Sequence, residues 1–177
     1  MKHIVSLLTA ALCALTTAWP VAAVETDCLV RDPSTIVKKD GTYWLFGTGK
    51  GTQQFSSTDR IHWTNQGPAL STAPGWLAAA VPGNDNEVWA PDIHFFNGKY
   101  YLYSSYSKWG SNNSAIGVAT NATLDPKAWV DQGRVIRSVQ GGNLNAIDPC
   151  IFTDADGNAW LSYGSYVSGI KLVQINP

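Results

Sequence analysis

Two aspartates stand immediately before proline in a phrase that the chain repeats. Asp32 opens "DPSTIVKKDGTYWLFGTG" and Asp148 opens "DPCIFTDADGNAWLSYGS". Between them Asp92 opens "DIHFFNGKYYLYSSYS". Paired carboxylates are equipment for general acid–base catalysis: an ionised one activates water, and one with a raised pKa protonates a leaving oxygen. Held on opposite sides of a sugar, about 6.5–9.5 Å apart with a water between, such a pair hydrolyses a glycosidic bond with inversion. A single Asp-Pro is explained as well by a strand or turn start whose carboxylate caps local N–H groups. Two at matching positions leave both readings open. Proline biases the preceding residue toward extended backbone, and its missing N–H is tolerated at a strand's first residue. Both acids are therefore expected in extended geometry with a fixed side-chain direction.

The elements that must position these acids are short strands. Each phrase reads as a strand, a Lys-Asp-Gly, Asn-Gly or Asp-Gly turn, and a second aromatic strand, the strongest short-range hairpin signal. The tails repeat too: "FSSTDRIHWTNQG" and "VATNATLDPKAWVDQG" both run from Trp through two residues to Gln-Gly. The opening acids lie 60 and 56 residues apart. A four-stranded unit restarting at that interval predicts an all-β chain built of β-propeller blades. Blades are expected near residues 29–70, 88–137 and 145–177, the last incomplete, or about two and a half blades. Inner strands line a propeller's axis, so Asp32, Asp92 and Asp148 are expected to converge at one end of it. An open edge is expected at residues 170–175.

Composition narrows the function classes. Lys2 and His3, an apolar run from Ile4 to Leu15 and the small residues Val21-Ala22-Ala23 read as a secretory signal peptide over residues 1–23. The remaining 24–177 is expected to be secreted or periplasmic. The whole chain carries 12 basic and 13 acidic residues. Without Lys2 the net charge is −2, and no basic run suggests nucleic acid or an anionic membrane. Cys28 and Cys150 are expected as separate, mostly buried thiols rather than a bridge.

The phrases "VRDPSTIVKKDGTYWLFGTG", "EVWAPDIHFFNGKYYLYSSYS" and "NAIDPCIFTDADGNAWLSYGS" resemble the first three blades of glycoside hydrolase family 43, and within it the endo-1,5-α-L-arabinanases. The likeness runs from Leu29 to the end of the chain. It implies a five-bladed β-propeller and an inverting hydrolase acting on arabinan or a related pentose polysaccharide, monomeric when full length. It assigns Asp32 as general base and Asp148 as the residue that orients the general acid and tunes its pKa. Arg31 departs from the histidine common before the first acid in that family.

The resemblance also implies a fourth-blade glutamate as general acid. The chain has only two glutamates, Glu25 and Glu87, and neither fits, so the expected acid belongs beyond Pro177 and this chain by itself is expected to be inactive. The axial calcium of the full-length family fold likewise lacks a ligand set: His62 and His94 have no metal-binding company, and no cofactor is expected in this chain. Trp89, Asp92, Asn145, Ser165 and Trp109 are the candidate substrate contacts, the tryptophans by stacking on pentose rings. Two other readings stand beside the endo-acting hydrolase. One is a non-catalytic sugar-binding or degenerate propeller fragment; the other is an exo-acting xylosidase or arabinofuranosidase.

Overall fold

The computed structural model describes residues 23–176, so the expected signal peptide lies outside the described residues apart from Ala23. Three antiparallel sheets follow one another along the chain. The first contains β1 (Val37–Lys39), β2 (Thr42–Gly47), β4 (Gln53–Ser57) and β5 (Thr64–Pro68), hydrogen-bonded in that order. The second contains β6 (Glu87–Phe96), β7 (Lys99–Tyr106), β8 (Ala115–Asn121) and β9 (Val130–Arg137), and the third β10 (Cys150–Thr153), β11 (Ala159–Tyr163) and β12 (Lys171–Ile175). A two-residue strand, β3 (Gly49–Lys50), leaves the first sheet and pairs with β6 through Gly49–Val88 and Lys50–Glu87. One short helix, α1 (Leu77–Ala80), lies between the first two sheets in sequence. The chain is all-β, as anticipated, with consecutive up-and-down sheets of propeller-blade form.

Successive residues of a strand point to opposite faces, so one face of a sheet can bury against the next. Phe46, Ile93, Leu102, Leu124 and Trp129 fill the space between the first and second sheets. Tyr103, Ile116, Ile151 and Leu161 fill the space between the second and third. On the far face of the third sheet Phe152 and Leu172 are exposed, and Trp160 is half-buried, its indole N–H donating to Asp154 Oδ2 at 2.7 Å. Among the described residues Trp160 therefore has no facing sheet, whereas Trp129 packs between the first two.

The repeated phrases have physical causes. Asp40-Gly41 and Asn97-Gly98 both have positive φ (48° and 82°; 45° and 79°), the two-residue turn whose twist matches a hairpin. The third hairpin differs: Asp154 accepts N–H groups from Asp156 and Asn158 in a five-residue loop, and only Gly157 has positive φ. The Gln-Gly tails are β-bulges. Gln54 pairs with Gly67 but Phe55 with Asn65, and Val118 pairs with Gly133 but Ala119 with Asp131. Gln66 and Gln132 are the extra residues, and the glycines supply φ of 82° and 104°.

Register also corrects the phase of the repeat. Thr48 N–H donates to Arg31 O, Gly164 N–H donates to Ile147 O, and Ser105 pairs with Trp89 in β6. The residue after each acceptor is therefore equivalent: Asp32, Ala90 and Asp148, evenly spaced by 58 residues, each followed by proline. Asp92 is not the counterpart of the other two acids; alanine holds that seat in the second blade. All three residues have positive φ (49°, 35° and 55°) rather than the extended geometry expected before proline. The carbonyl just before each is tied to the end of the second strand, so the chain must turn sharply at this one residue. Aspartate tolerates the left-handed region better than most residues.

The cysteines are unbridged, and among the described residues Cys28 is half-buried and Cys150 exposed rather than mostly buried as expected. Cys150 lies on the same face of β10 as Phe152, the face no sheet covers among the described residues.

Candidate active site

A cleft of about 950 Å³ opens at the end of the blades where the three X-Pro segments meet. Asp32 and Asp148 both line it, although β1 begins five residues after the first and β10 two residues after the second. Gly47 lets the segment carrying Asp32 approach β2. A Cβ there would meet Val30 Cγ2 at 2.2 Å and Arg31 O at 3.0 Å, so the segment carrying Asp32 lies directly on the end of β2.

The two carboxylates have contrasting surroundings. Asp32 Oδ2 accepts a 2.5 Å hydrogen bond from the Thr48 hydroxyl, which itself accepts the Ala90 N–H at 2.9 Å. Asp148 is held through its backbone, its N–H donating to the buried Ser105 hydroxyl at 2.9 Å, and its carboxylate has no hydrogen bond among the described residues. Partial burial, and then the nearby charge of Asp32, push the Asp148 carboxyl above the ordinary carboxylate range. Two carboxylates in one cleft, one with a hydroxyl partner and one without, are candidates for different parts in acid–base chemistry.

Trp89, Trp109, Asn145 and Ser165 also line the cleft. Trp89 and Trp109 stack at 5.3 Å between centroids with a 47° tilt, and Trp109 is 91% exposed at the rim. Asn145 Oδ1 accepts the Ser114 hydroxyl at 2.8 Å. Asn112 holds the Trp109 loop to the next segment by donating to Gly142 O and Leu144 O and accepting the Gly141 N–H. Tyr166 also lines the cleft, 87% exposed, with positive φ at both Tyr166 and Val167.

Asp92 does not reach the cleft. It is 5% exposed and accepts the Thr35 N–H at 3.0 Å through Oδ1 and the Ile151 N–H at 2.8 Å through Oδ2. Its carboxylate thus ties the inner segments of all three blades together. Glu87 does line the cleft, with Asp85, whose carboxylate contacts Lys50 at 3.4 Å. Thr48 and Lys108 are cleft residues that the motifs did not single out. Thr48 could have been found only from the bond it makes.

The residues present do not fit the axial calcium. Among the described residues no three His, Cys, Asp or Glu side chains come together, and Asp92 spends both oxygens on N–H groups. His62 Nδ1 contacts Asp59 Oδ2 at 2.7 Å, and His94 Nε2 contacts Thr153 Oγ1 at 3.2 Å.

Known proteins share this sequence and fold. Residues 24–177 match glycosyl hydrolases family 43. The extracellular endo-α-(1→5)-L-arabinanase 1 of Bacillus subtilis is 43% identical over 152 residues, covering 84% of this chain and 47% of that protein. The extracellular exo-α-(1→5)-L-arabinofuranosidase ArbA of Cellvibrio japonicus is also 43% identical, over 83% of this chain and 44% of that one. Among solved structures, the native Bacillus subtilis arabinanase Arb43A superimposes with a TM-score of 0.81 at 41% identity, covering 85% of this chain and 53% of the other. The Cellvibrio cellulosa α-L-arabinanase complexed with arabinohexaose gives 0.78 at 42% identity, over 83% and 48%. The chain spans about half the length of the curated relatives it matches.

Proposed function

The chain belongs to glycosyl hydrolase family 43, a family of five-bladed β-propellers, and from that premise we propose that it carries the water-activating half of an arabinan hydrolase's active site. In this reading Asp32 is the general base. Water held at Asp32 attacks the anomeric carbon of an internal α-1,5-linked arabinofuranosyl unit, and the configuration inverts as the leaving oxygen departs. Asp148 orients and tunes the acid that protonates that oxygen. The observation that carries the reading is the meeting, in one open cleft, of two carboxylates from matching blade positions, one with a hydroxyl partner and one without a hydrogen bond among the described residues.

Trp89 and Trp109 offer apolar ring faces on one wall, suited to the flat faces of pentose rings, and Asn145 and Ser165 offer polar contacts beside Asp148. An open cleft suits entry of a polymer. Secretion, supported by relatives named as extracellular, matches a polysaccharide substrate too large to enter a cell.

A dinitrophenyl α-L-arabinofuranoside separates the base from the acid, because its leaving group departs without protonation. The chain is expected to hydrolyse this substrate with inversion and to leave debranched arabinan almost uncut. Asp32→Ala is expected to abolish that turnover while retaining arabino-oligosaccharide binding. Equal rates for the parent and Asp32→Ala would remove Asp32 from the base role. Binding of arabino-oligosaccharide without any hydrolysis of the aryl glycoside would favour the sugar-binding reading.

A further inference from the structure

We propose that Thr48 is a positioning residue for Asp32: its hydroxyl, pinned by the Ala90 N–H, holds the carboxylate so that Oδ1 faces the cleft and is free to take a proton. This rests on the reading of Asp32 as base. A hydroxyl has one proton and two lone pairs. The Ala90 N–H can only donate, so it occupies a lone pair of Thr48 Oγ1, at 2.9 Å. The single hydroxyl proton is thereby left for Asp32 Oδ2, its other partner. Among the described residues Asp32 makes no other side-chain hydrogen bond, so this contact alone sets its rotation.

The backbone makes Thr48 a stiff support. It lies between β2 and β3, its own N–H donates to Arg31 O at 2.9 Å, and β3 is paired to the second sheet at Gly49 and Lys50. Both partners of the hydroxyl are themselves strained, Asp32 and Ala90 having φ of 49° and 35°. Strain of this kind persists where surrounding bonds over-determine the geometry. The next blade junction repeats half of the device. Ser105, at the position corresponding to Thr48, accepts the Asp148 N–H at 2.9 Å, yet among the described residues no hydroxyl reaches the Asp148 carboxylate. Thr48 thus gives Asp32 a hydroxyl partner that Asp148 lacks among the described residues.

Two substitutions separate the hydroxyl from the bulk of the side chain: Thr48→Val removes the proton donor at nearly constant shape, and Thr48→Ser keeps it. With the full chain and dinitrophenyl α-L-arabinofuranoside, Thr48→Val is expected to lose about 10- to 100-fold in kcat with KM little changed. Thr48→Ser is expected to stay near the parent. Parent-like kcat in Thr48→Val, with Asp32→Ala inactive, overturns the positioning role and leaves the base reading intact. If Asp32→Ala matches the parent, the base reading falls and the positioning role falls with it. A second measurement needs no turnover. Carbon-13 NMR titration of the Asp148 carboxyl senses the charge of Asp32, so its midpoint is expected to fall in Thr48→Val and to hold in Thr48→Ser. An unchanged midpoint in Thr48→Val, or an equal fall in both variants, overturns the proposal.

Discussion

The carboxylate of Asp92 accepts the N–H of Ile151 at 2.8 Å across 59 residues of chain, while its other oxygen accepts the N–H of Thr35. A buried charge satisfied by two backbone donors is a fastening between blades, and it explains why an acid sits where no substrate can reach it. Hydrogen bonds to a charged group contribute about 1.5–3 kcal/mol each. Asp92→Ala is therefore expected to lower unfolding free energy by about 3 kcal/mol or more. Asp92→Asn should also destabilise, because its NH₂ would face one of the two N–H donors. Urea denaturation checks both, and wild-type stability in Asp92→Ala would show that the bonds do not hold the blades together.

Asp148 supplies a pH signature. Its folded-state pKa is raised, by partial burial first and the Asp32 charge second, so the folded protein binds this proton more tightly than the unfolded chain. Stability from this group is fully present below the unfolded carboxylate value and is lost as pH rises through the folded one. Asp148→Asn, which mimics the protonated form, is expected to match the parent in acid and to be more stable above the raised pKa. Thermal melts across that range test the crossing.

Trp129 wedges the first two blades. Its ring meets Phe46 edge-on at 5.4 Å, and its indole N–H donates to Gln54 Oε1, which is fully buried. Trp129→Ala is expected to cost about 3–5 kcal/mol through the cavity, with Gln54 left short of a partner. Trp129→Phe keeps most of the ring and should isolate the hydrogen-bond share of that loss.

Trp109 is exposed in the free protein and stacked on Trp89. If this pair receives pentose rings, arabino-oligosaccharide should shift tryptophan emission, and Trp109→Ala should weaken binding without altering the melting temperature. Unchanged affinity in Trp109→Ala would take the rim tryptophan out of the binding surface.

Much of the fold is legible locally. Alternating aromatic strands, Asn-Gly and Asp-Gly turns and paired Gln-Gly bulges are set by neighbours in sequence, and the strands appear where those signals stand. Asp32 and Asp148 were legible for the same reason, since each precedes a proline that marks the start of a blade. The phase of the middle blade was not. There the marker is Ala90-Pro91, and the nearby Asp92 imitates an acid that the register puts two residues earlier. The exposure of Cys150 was also illegible, because it depends on which face of β10 meets the second sheet.

Sequence alone thus determined an all-β repeat and two acids at equivalent seats, because hairpin twist, bulges and proline act over a few residues. Tertiary structure alone decided which acids share a cleft, that Asp92 fastens blades instead, and that a threonine hydroxyl distinguishes Asp32 from Asp148. Those outcomes depend on hydrogen-bond directions and burial between segments tens of residues apart, which no local pattern encodes.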